Sequence, residues 1–330
     1  MGAQRSGTTW LQRLLAAHPA VATTQETDLL QQYIRSWSEL WDRQLGTAGA
    51  DWRSHRHKGL PAVLTAEEFQ EMQRAAIRTV YDKVASLKPA ATVVLDKNPG
   101  YTLHVPLISS LLPEARFIHL VRDGRDVATS LMAAADTWGR KWAPRTVEAA
   151  ARRWRRQVTA ASSLALPPDR YKEVHYEDLH SDGPRILSES LRFCGVHATV
   201  EECSELVDSV SFARLKDSLG HDGARVDPIL WSGEVAARLG GTPPEPEGFF
   251  GKGKTRTWQQ EWSAAERWGF HRTAGDVLIS LGYEPDGEWA GSPLLPRLAF
   301  GPTLLAQRGV RRLRSDALDL LDNLPGRNRS

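Results

Sequence analysis

Cysteine is scarce in this chain, with two in 330 residues, Cys194 and Cys203. So low a count excludes a disulfide scaffold, and their spacing matches no metal-ligand pattern. Both are expected as reduced, buried thiols in a reducing, cytoplasmic setting. No run of about 18 apolar residues occurs, which excludes a helical membrane span. No secretory leader pattern is visible either. An excess of charge is also missing: 42 Lys+Arg against 40 Asp+Glu leave a net +2. Bulk electrostatics therefore nominate no nucleic acid as partner. There is no internal repeat of solenoid period. What is present is 41% hydrophobic content, enough for a good core in one or two domains.

The informative stretch is the first ten residues, MGAQRSGTTW. Gly2, Arg5, Ser6, Gly7, Thr8 and Thr9 precede Trp10, Leu11, Leu14 and Leu15, which share one face of a helix that His18-Pro19 stops. A glycine-rich turn feeding a helix N-terminus binds anions, because backbone N–H groups and the helix dipole point at the ligand. The spacing fits the phosphate loop GxxxxGK[ST] except that Thr8 stands in the lysine position and Arg5 lies inside the loop. A sulfuryl group carries less charge than a γ-phosphate, so it needs less cationic help and no obligatory Mg²⁺. Such loops follow a buried strand, and the expectation is a first strand upstream of Met1, truncated from the sequence.

Along the chain, Thr65-Ala66-Glu67-Glu68 opens a helix to Leu87 with a capping box, and Ser263 to Glu266 opens another to Leu281. Strands are expected at Thr92–Leu95, Arg116–Val121 and Tyr171–Tyr176. Helices follow near His104–Leu112, from Val127 to Ala135, Pro184–Phe193 and Val200 to Val210. Strand, charged turn, helix in alternation predicts an α/β fold: a P-loop-type parallel sheet flanked by helices, with a C-terminal helical extension. Ligands in such sheets sit at the carboxyl ends of the strands, where Arg5, Lys97 and Arg122 all fall. The expected division is a domain over 1–288 and a linker with a basic amphipathic tail over 289–330. That tail, Leu304–Leu324, offers a peripheral membrane contact or a packing helix. HxH at His55 and His57 is expected as a solvated turn. The basic 137–157 stretch is expected mainly as a solvated helix face, with nucleic-acid or donor binding as the alternatives. The glycine- and proline-rich stretch 220–253 is long for a compact domain.

A second anion site raises the specificity. HLVRDGRDVATS puts Arg122 at a strand end and Ser130 eight residues on in the next helix. These two motifs, in this order, resemble the superfamily of sulfotransferases that use 3′-phosphoadenosine 5′-phosphosulfate (PAPS). Arg5 to Thr9 resembles its 5′-phosphosulfate loop, and Arg122 with Ser130 its 3′-phosphate site. GKGKTRTW, 251–258, resembles the family's late motif RKGxxGxW: Lys252, Gly253 and Trp258 match, whereas Gly251 and Arg256 depart. The resemblance implies that these residues, with Tyr176 at the end of a strand, bind PAPS.

Sulfuryl transfer to a hydroxyl needs a base. Where cytosolic members place a histidine, DKNP here offers Lys97. Resemblance to the tyrosylprotein-sulfotransferase-like branch, which has many bacterial relatives, implies Glu26 of QETD as base, 21 residues after Arg5. Lys97 and Arg5 then stabilise the leaving phosphate. Asp96 is a candidate ion-pair partner for Lys97. His104, His119 and His175 are expected as structural. Trp37, Trp41, Trp138 and Trp142 lie in segments expected to border the site, although tryptophan at helical spacing is more often core; the acceptor is a small molecule, glycan, lipid or peptide that the sequence does not choose. Two rivals stand: a P-loop kinase or NTPase with Asp96 as its acid, and a non-catalytic nucleotide- or nucleic-acid-binding protein.

Overall fold

The computed structural model describes residues 1–50, 59–164, 166–210 and 255–291. The HxH pair, the 220–253 stretch, Lys252, Gly253 and the basic tail lie outside the described residues. Two compact units divide the chain, the first Met1–Thr257 and the second starting at Trp258.

In the first unit, parallel strand pairs alternate with helices, the α/β arrangement expected. Helix α1, Thr8–Ala17, leads to strand β1, Val21–Thr23. A π-helical turn, Leu29–Ile34, runs into α2, Arg35–Ala50, and α3 spans Ala66–Ser86. Strand β2, Val93–Leu95, then α4, Val105–Leu111, precede β3, Phe117–Val121, and α5, Gly124–Ala135. Helix α6, Val147–Ser162, returns the chain to β4, Tyr171–His175, after which come α7, Tyr176–Ser181, α8, Gly183–Phe193, and α9, Val200–Ser209. β1 pairs parallel with β2 in the register Val21↔Val93, and β3 pairs parallel with β4 in the register Phe117↔Tyr171. A parallel bridge also joins Gly2 to Leu120.

Local chemistry fixes the helix starts. At α3, Thr65 accepts from the Glu68 N–H while the Glu68 carboxylate accepts from the Thr65 N–H at 2.8 Å. Thr199 and Glu202 repeat this reciprocal cap at α9. Each satisfies amides that have no intrahelical partner, a contribution of about 1 kcal/mol. The apolar stripe of α1 packs with β3, α7 and α8: Leu14, Leu120, Leu187 and Leu191 are fully buried in one cluster. A second cluster gathers Ile34, Ile77, Val105, Leu111 and Phe117. Between them these clusters clamp the strands, so that the loops at the strand ends are held from both sides.

β1 was not anticipated from the sequence. Three residues, all buried, give no alternation to read, because a parallel strand covered on both faces is uniformly apolar. Tyr176 begins α7 rather than closing β4. Trp41 stacks on Phe69 at 4.3 Å in the interior, which removes it from the acceptor candidates. Within the second unit, α10, Trp258–Glu261, and α11, Ala264–Ser280, gather Trp258, Trp262, Phe270 and Trp289 into an aromatic cluster. Among the described residues no helix is long and apolar enough to cross a membrane.

Leu14→Ala removes a fully buried side chain of α1. It is expected to cost about 2–5 kcal/mol, read as a lowered midpoint in urea unfolding with an unchanged slope.

Candidate active site

The site is built on the turn from Gly2 to Thr8. Arg5 and Gly7 both adopt left-handed backbone, φ 72° and 95°. Gly7 is required twice over: only glycine takes that φ cheaply, and a Cβ there would lie 2.7 Å from the Tyr176 ring. Gly7 is also the N-cap of α1, and no side chain caps it. The N–H groups of the first turn are thus left to a ligand or solvent. Ser6 is fully buried, and its Oγ meets no hydrogen-bond partner among the described residues. A buried hydroxyl left so is costly unless something else bonds it.

Two arginines close on the turn. Arg5 Nε donates to Ser130 Oγ at 3.0 Å, and its guanidinium lies 5.4 Å from the Trp138 ring. Arg122 Nη1 donates to the Arg5 carbonyl at 3.3 Å while its guanidinium sits 4.2 Å from the Tyr176 ring. Burial, then the neighbouring Arg122 charge, pulls the Arg5 pKa down from 12.5 to about 10. Arg5, Ser6, Gly7, Arg122, Ser130 and Tyr176, drawn from three regions of the sequence, therefore meet in one place. Trp154 fixes the backbone behind them: its Nε1 donates to the Arg122 carbonyl at 3.2 Å. It packs so close that a Cβ on Gly124 would come within 2.5 Å of its ring, the reason for glycine in RDG.

On the other side of α1 lies a second group. Lys97, buried at the end of β2, donates to Thr9 Oγ1 at 3.2 Å and to the Glu26 carboxylate. Glu26 remains partly open to solvent. Asp96 is not the partner of Lys97 but turns the opposite way. Its carboxylate accepts from Tyr101 Oη at 2.7 Å and Tyr81 Oη at 2.9 Å, with Thr27 Oγ1 at 3.5 Å. Burial dominates there and raises its pKa.

Several supporting residues gave no sequence signal. Gln157 on α6 accepts from the Gln4 N–H at 3.2 Å, and Arg153 donates to the Gln4 side chain at 3.2 Å, so α6 braces the turn. Arg152 and Arg156 on the same helix are exposed, the solvated face expected. Asp126 accepts from the backbone N–H groups of Arg256 and Thr257, at 2.8 and 3.1 Å. That pins the described end of the late motif to α5, while the Arg256 side chain stays exposed. His119 is buried in β3 with Nδ1 at 2.7 Å from Tyr171 Oη, a structural role.

Fold and site together define an α/β protein in which two arginines and the uncapped start of α1 gather at the carboxyl end of β3. A profile of the sulfotransferase family matches residues 1–200, and the chain belongs to that family. A Caenorhabditis briggsae protein provisionally named a protein-tyrosine sulfotransferase is 31% identical over 131 residues, 40% of this chain and 41% of that one. Protein-tyrosine sulfotransferase 1 of Danio rerio is 24% identical over 196 residues, 59% of this chain and 52% of the relative. The chain thus spans about half or less of the curated relatives it matches. Among solved structures, a mouse sulfotransferase complexed with PAP aligns over 88% of this chain and 84% of its own, with 14% identity and a TM-score of 0.49.

Gly7→Ala forces alanine into left-handed backbone and against Tyr176. It is expected to destabilise the turn by about 1–3 kcal/mol; in a thermal-shift titration pyrophosphate is expected to raise the melting temperature of the parent and not that of the variant.

Proposed function

We propose that this chain transfers a sulfuryl group from PAPS to the hydroxyl of an acceptor. The observation that carries this function is the Lys97–Glu26 contact at Thr9. A cation and a carboxylate from distant segments meet on the first turn of an anion-binding helix. PAPS supplies an activated sulfuryl group on a phosphate oxygen and carries negative charge at both its 5′ and 3′ ends.

The residues suit such a donor. The partnerless Ser6 hydroxyl, the uncapped turn of α1 and the Thr8 and Thr9 side chains answer its 5′ end. Arg122 and Ser130 answer its 3′-phosphate, with Tyr176 beneath Arg122, while Arg5 stays with the 5′ end. Lys252 and Gly253 complete the donor contacts in this scheme. Glu26 takes the proton of the acceptor hydroxyl as that oxygen bonds to sulfur. The bond from sulfur to the bridging oxygen breaks, and Lys97 and Arg5 hold the charge that gathers on the departing phosphate. A fixed ammonium aimed at developing charge favours the transition state over the ground state. The remainder of the catalysis is positioning of attacking and leaving oxygens.

Small-molecule and protein hydroxyls are the acceptor classes to try. Tyrosine peptides come first, because relatives carry that name and Trp138 beside Arg5 offers an aromatic wall. The kinase or NTPase alternative loses ground because Asp96 is occupied by two tyrosine hydroxyls.

Thermal-shift titration separates the two readings: PAP is expected to stabilise the protein, and stabilisation by ATP/Mg²⁺ alone would remove the sulfotransferase assignment. With ³⁵S-labelled PAPS and an active acceptor, Glu26→Gln is expected to lower kcat by about 10²–10⁴-fold with PAP affinity unchanged. Turnover like the parent's would show that Glu26 is not the base.

A further inference from the structure

The β1–β2 ladder ends at Thr23↔Leu95. Beyond it the chain runs on as 24–28 and 96–98, and side chains join these two segments. Glu26 meets Lys97, Thr27 meets Asp96 at 3.5 Å, and Asp28 meets Asn98 at 2.7 Å. The first pair holds the proposed base and cation, and the second turns inward with the buried Asp96. The third pair has no part in the transfer itself.

Asp28 is unusual twice over. It adopts left-handed backbone, φ 54° and ψ 7°. Among the described residues only Arg5, Asp28 and Arg256 do so without being glycine. Arg5 and Arg256 both lie in segments that resemble donor-binding motifs of the family. Such backbone is unfavourable for a residue with a Cβ and persists where contacts over-determine it, most often at functional sites. Asp28 is also the N-cap of the turn Leu29–Ile34, yet its side chain makes no capping bond. An aspartate in that position ordinarily accepts from its own helix. Here Thr27 Oγ1 accepts from the Leu29 N–H at 3.2 Å, and the Asp28 carboxylate instead accepts from Asn98 Nδ2.

Asn98 is buried and caps the turn Pro99–Leu103, its Oδ1 accepting from the Gly100 N–H at 2.8 Å. One amide thus caps its own turn through oxygen and holds the neighbouring turn through nitrogen. Gly100 lets that neighbour close in, since a Cβ there would strike the Gln31 side chain.

We propose that Asp28 and Asn98 are a positioning pair for the active site, fixing how the segment that carries Glu26 stands against the one that carries Lys97. This rests on the sulfuryl-transfer reading. Glu26 lies two residues before Asp28 and Lys97 one before Asn98, so a bond at 28–98 sets the spacing at 26–97. Lys97 and Asn98 are buried and form the fixed post. Glu26 is partly open to solvent, where an ion pair alone holds a loop weakly. When the departing phosphate draws on Lys97, the contact with Glu26 weakens. The Asp28–Asn98 bond then keeps the carboxylate beside the acceptor oxygen.

Four variants test this. Asp28→Gly permits the left-handed backbone and removes the bond. Asp28→Asn tolerates that backbone and keeps an acceptor oxygen. Asn98→Asp keeps the cap on Gly100 and sets two carboxylates face to face. The double variant Asp28→Asn/Asn98→Asp exchanges donor and acceptor and restores a bond. With ³⁵S-labelled PAPS and an active acceptor, Asp28→Gly and Asn98→Asp are expected to lower kcat by about 10–100-fold. The KM for PAPS and the rise in Tm given by PAP are expected to stay as in the parent. Asp28→Asn and the double variant are expected to turn over close to the parent. In the protein without donor, Asn98→Asp is expected to quicken hydrogen exchange at the Leu29 and Gln32 amides, which bond to Thr27 and Asp28. The double variant is expected to return it to the parent's rate. Parent-like kcat in Asn98→Asp, a double variant no better than Asn98→Asp, or kcat, PAP affinity and Tm falling in step would each overturn the proposal. Active parent with unaffected variants sinks the positioning pair alone; a parent that moves no label to any acceptor sinks the transfer reading beneath it, whatever the exchange rates show.

Discussion

Two guanidinium groups, Arg5 and Arg122, are drawn together around one turn of backbone, and much of the first unit serves that arrangement. Arg122 reaches the Arg5 carbonyl, and the Arg5 pKa falls under burial and the pressure of its neighbour. Like charges crowded out of water favour an anion between or beside them. Holding them there requires rings and braces: Tyr176 and Trp138 against the cations, Trp154 on the Arg122 carbonyl, and α6 on Gln4. The left-handed backbone at Arg5 and Gly7 is tolerated because these contacts over-determine it.

Some of this was legible in the amino-acid sequence. The capping boxes at Thr65 and Ser263 name helix starts outright, since the reciprocal bonds are local and need only residues three apart. Strands β2 and β3 stand out as short, mostly apolar runs ahead of charged turns. Gly7, Arg5 and Arg122 are recognisable because a turn before a helix constrains spacing as well as residue type. What escaped depends on distance. β1 offers only Val21-Ala22-Thr23, too short and too uniform for any period. Asp126 looks like one more acid in a charged turn until Arg256 and Thr257, some 130 residues away, each lend it a backbone N–H. Gln157 bracing Gln4 is likewise a relation between elements, which no local pattern encodes.

The pairing of partners was less legible than their membership in the site. Ser130 belongs with the cations, as its spacing from Arg122 implied, yet the hydroxyl accepts from Arg5. Ser130 lies nearly two turns into α5, and the Arg5 side chain that meets it also lies 5.4 Å from the Trp138 ring. Trp41 and Trp138 make the same point for aromatics. Trp41 lies on α2 and Trp138 in the turn after α5; one stacks on Phe69 in the core and the other borders a cation.

Asp96 and Lys97 show why this chemistry sits at strand ends. Consecutive residues leaving a strand face opposite sides, so two neighbours in sequence enter unlike environments. Lys97 turns toward Thr9 and the carboxylate of Glu26. Asp96 turns into the protein, where two tyrosine hydroxyls and Thr27 replace water. Thr27 is the residue after Glu26, so the buried carboxyl ties down the segment that carries the proposed base as well as the strand that carries the proposed cation. Were Asp96 to pair with Lys97 instead, the ammonium would be neutralised by its own neighbour and drawn away from the turn. Separating Asp96 from Lys97 across the strand keeps one acid structural and leaves Glu26 beside the cation, partly open to solvent.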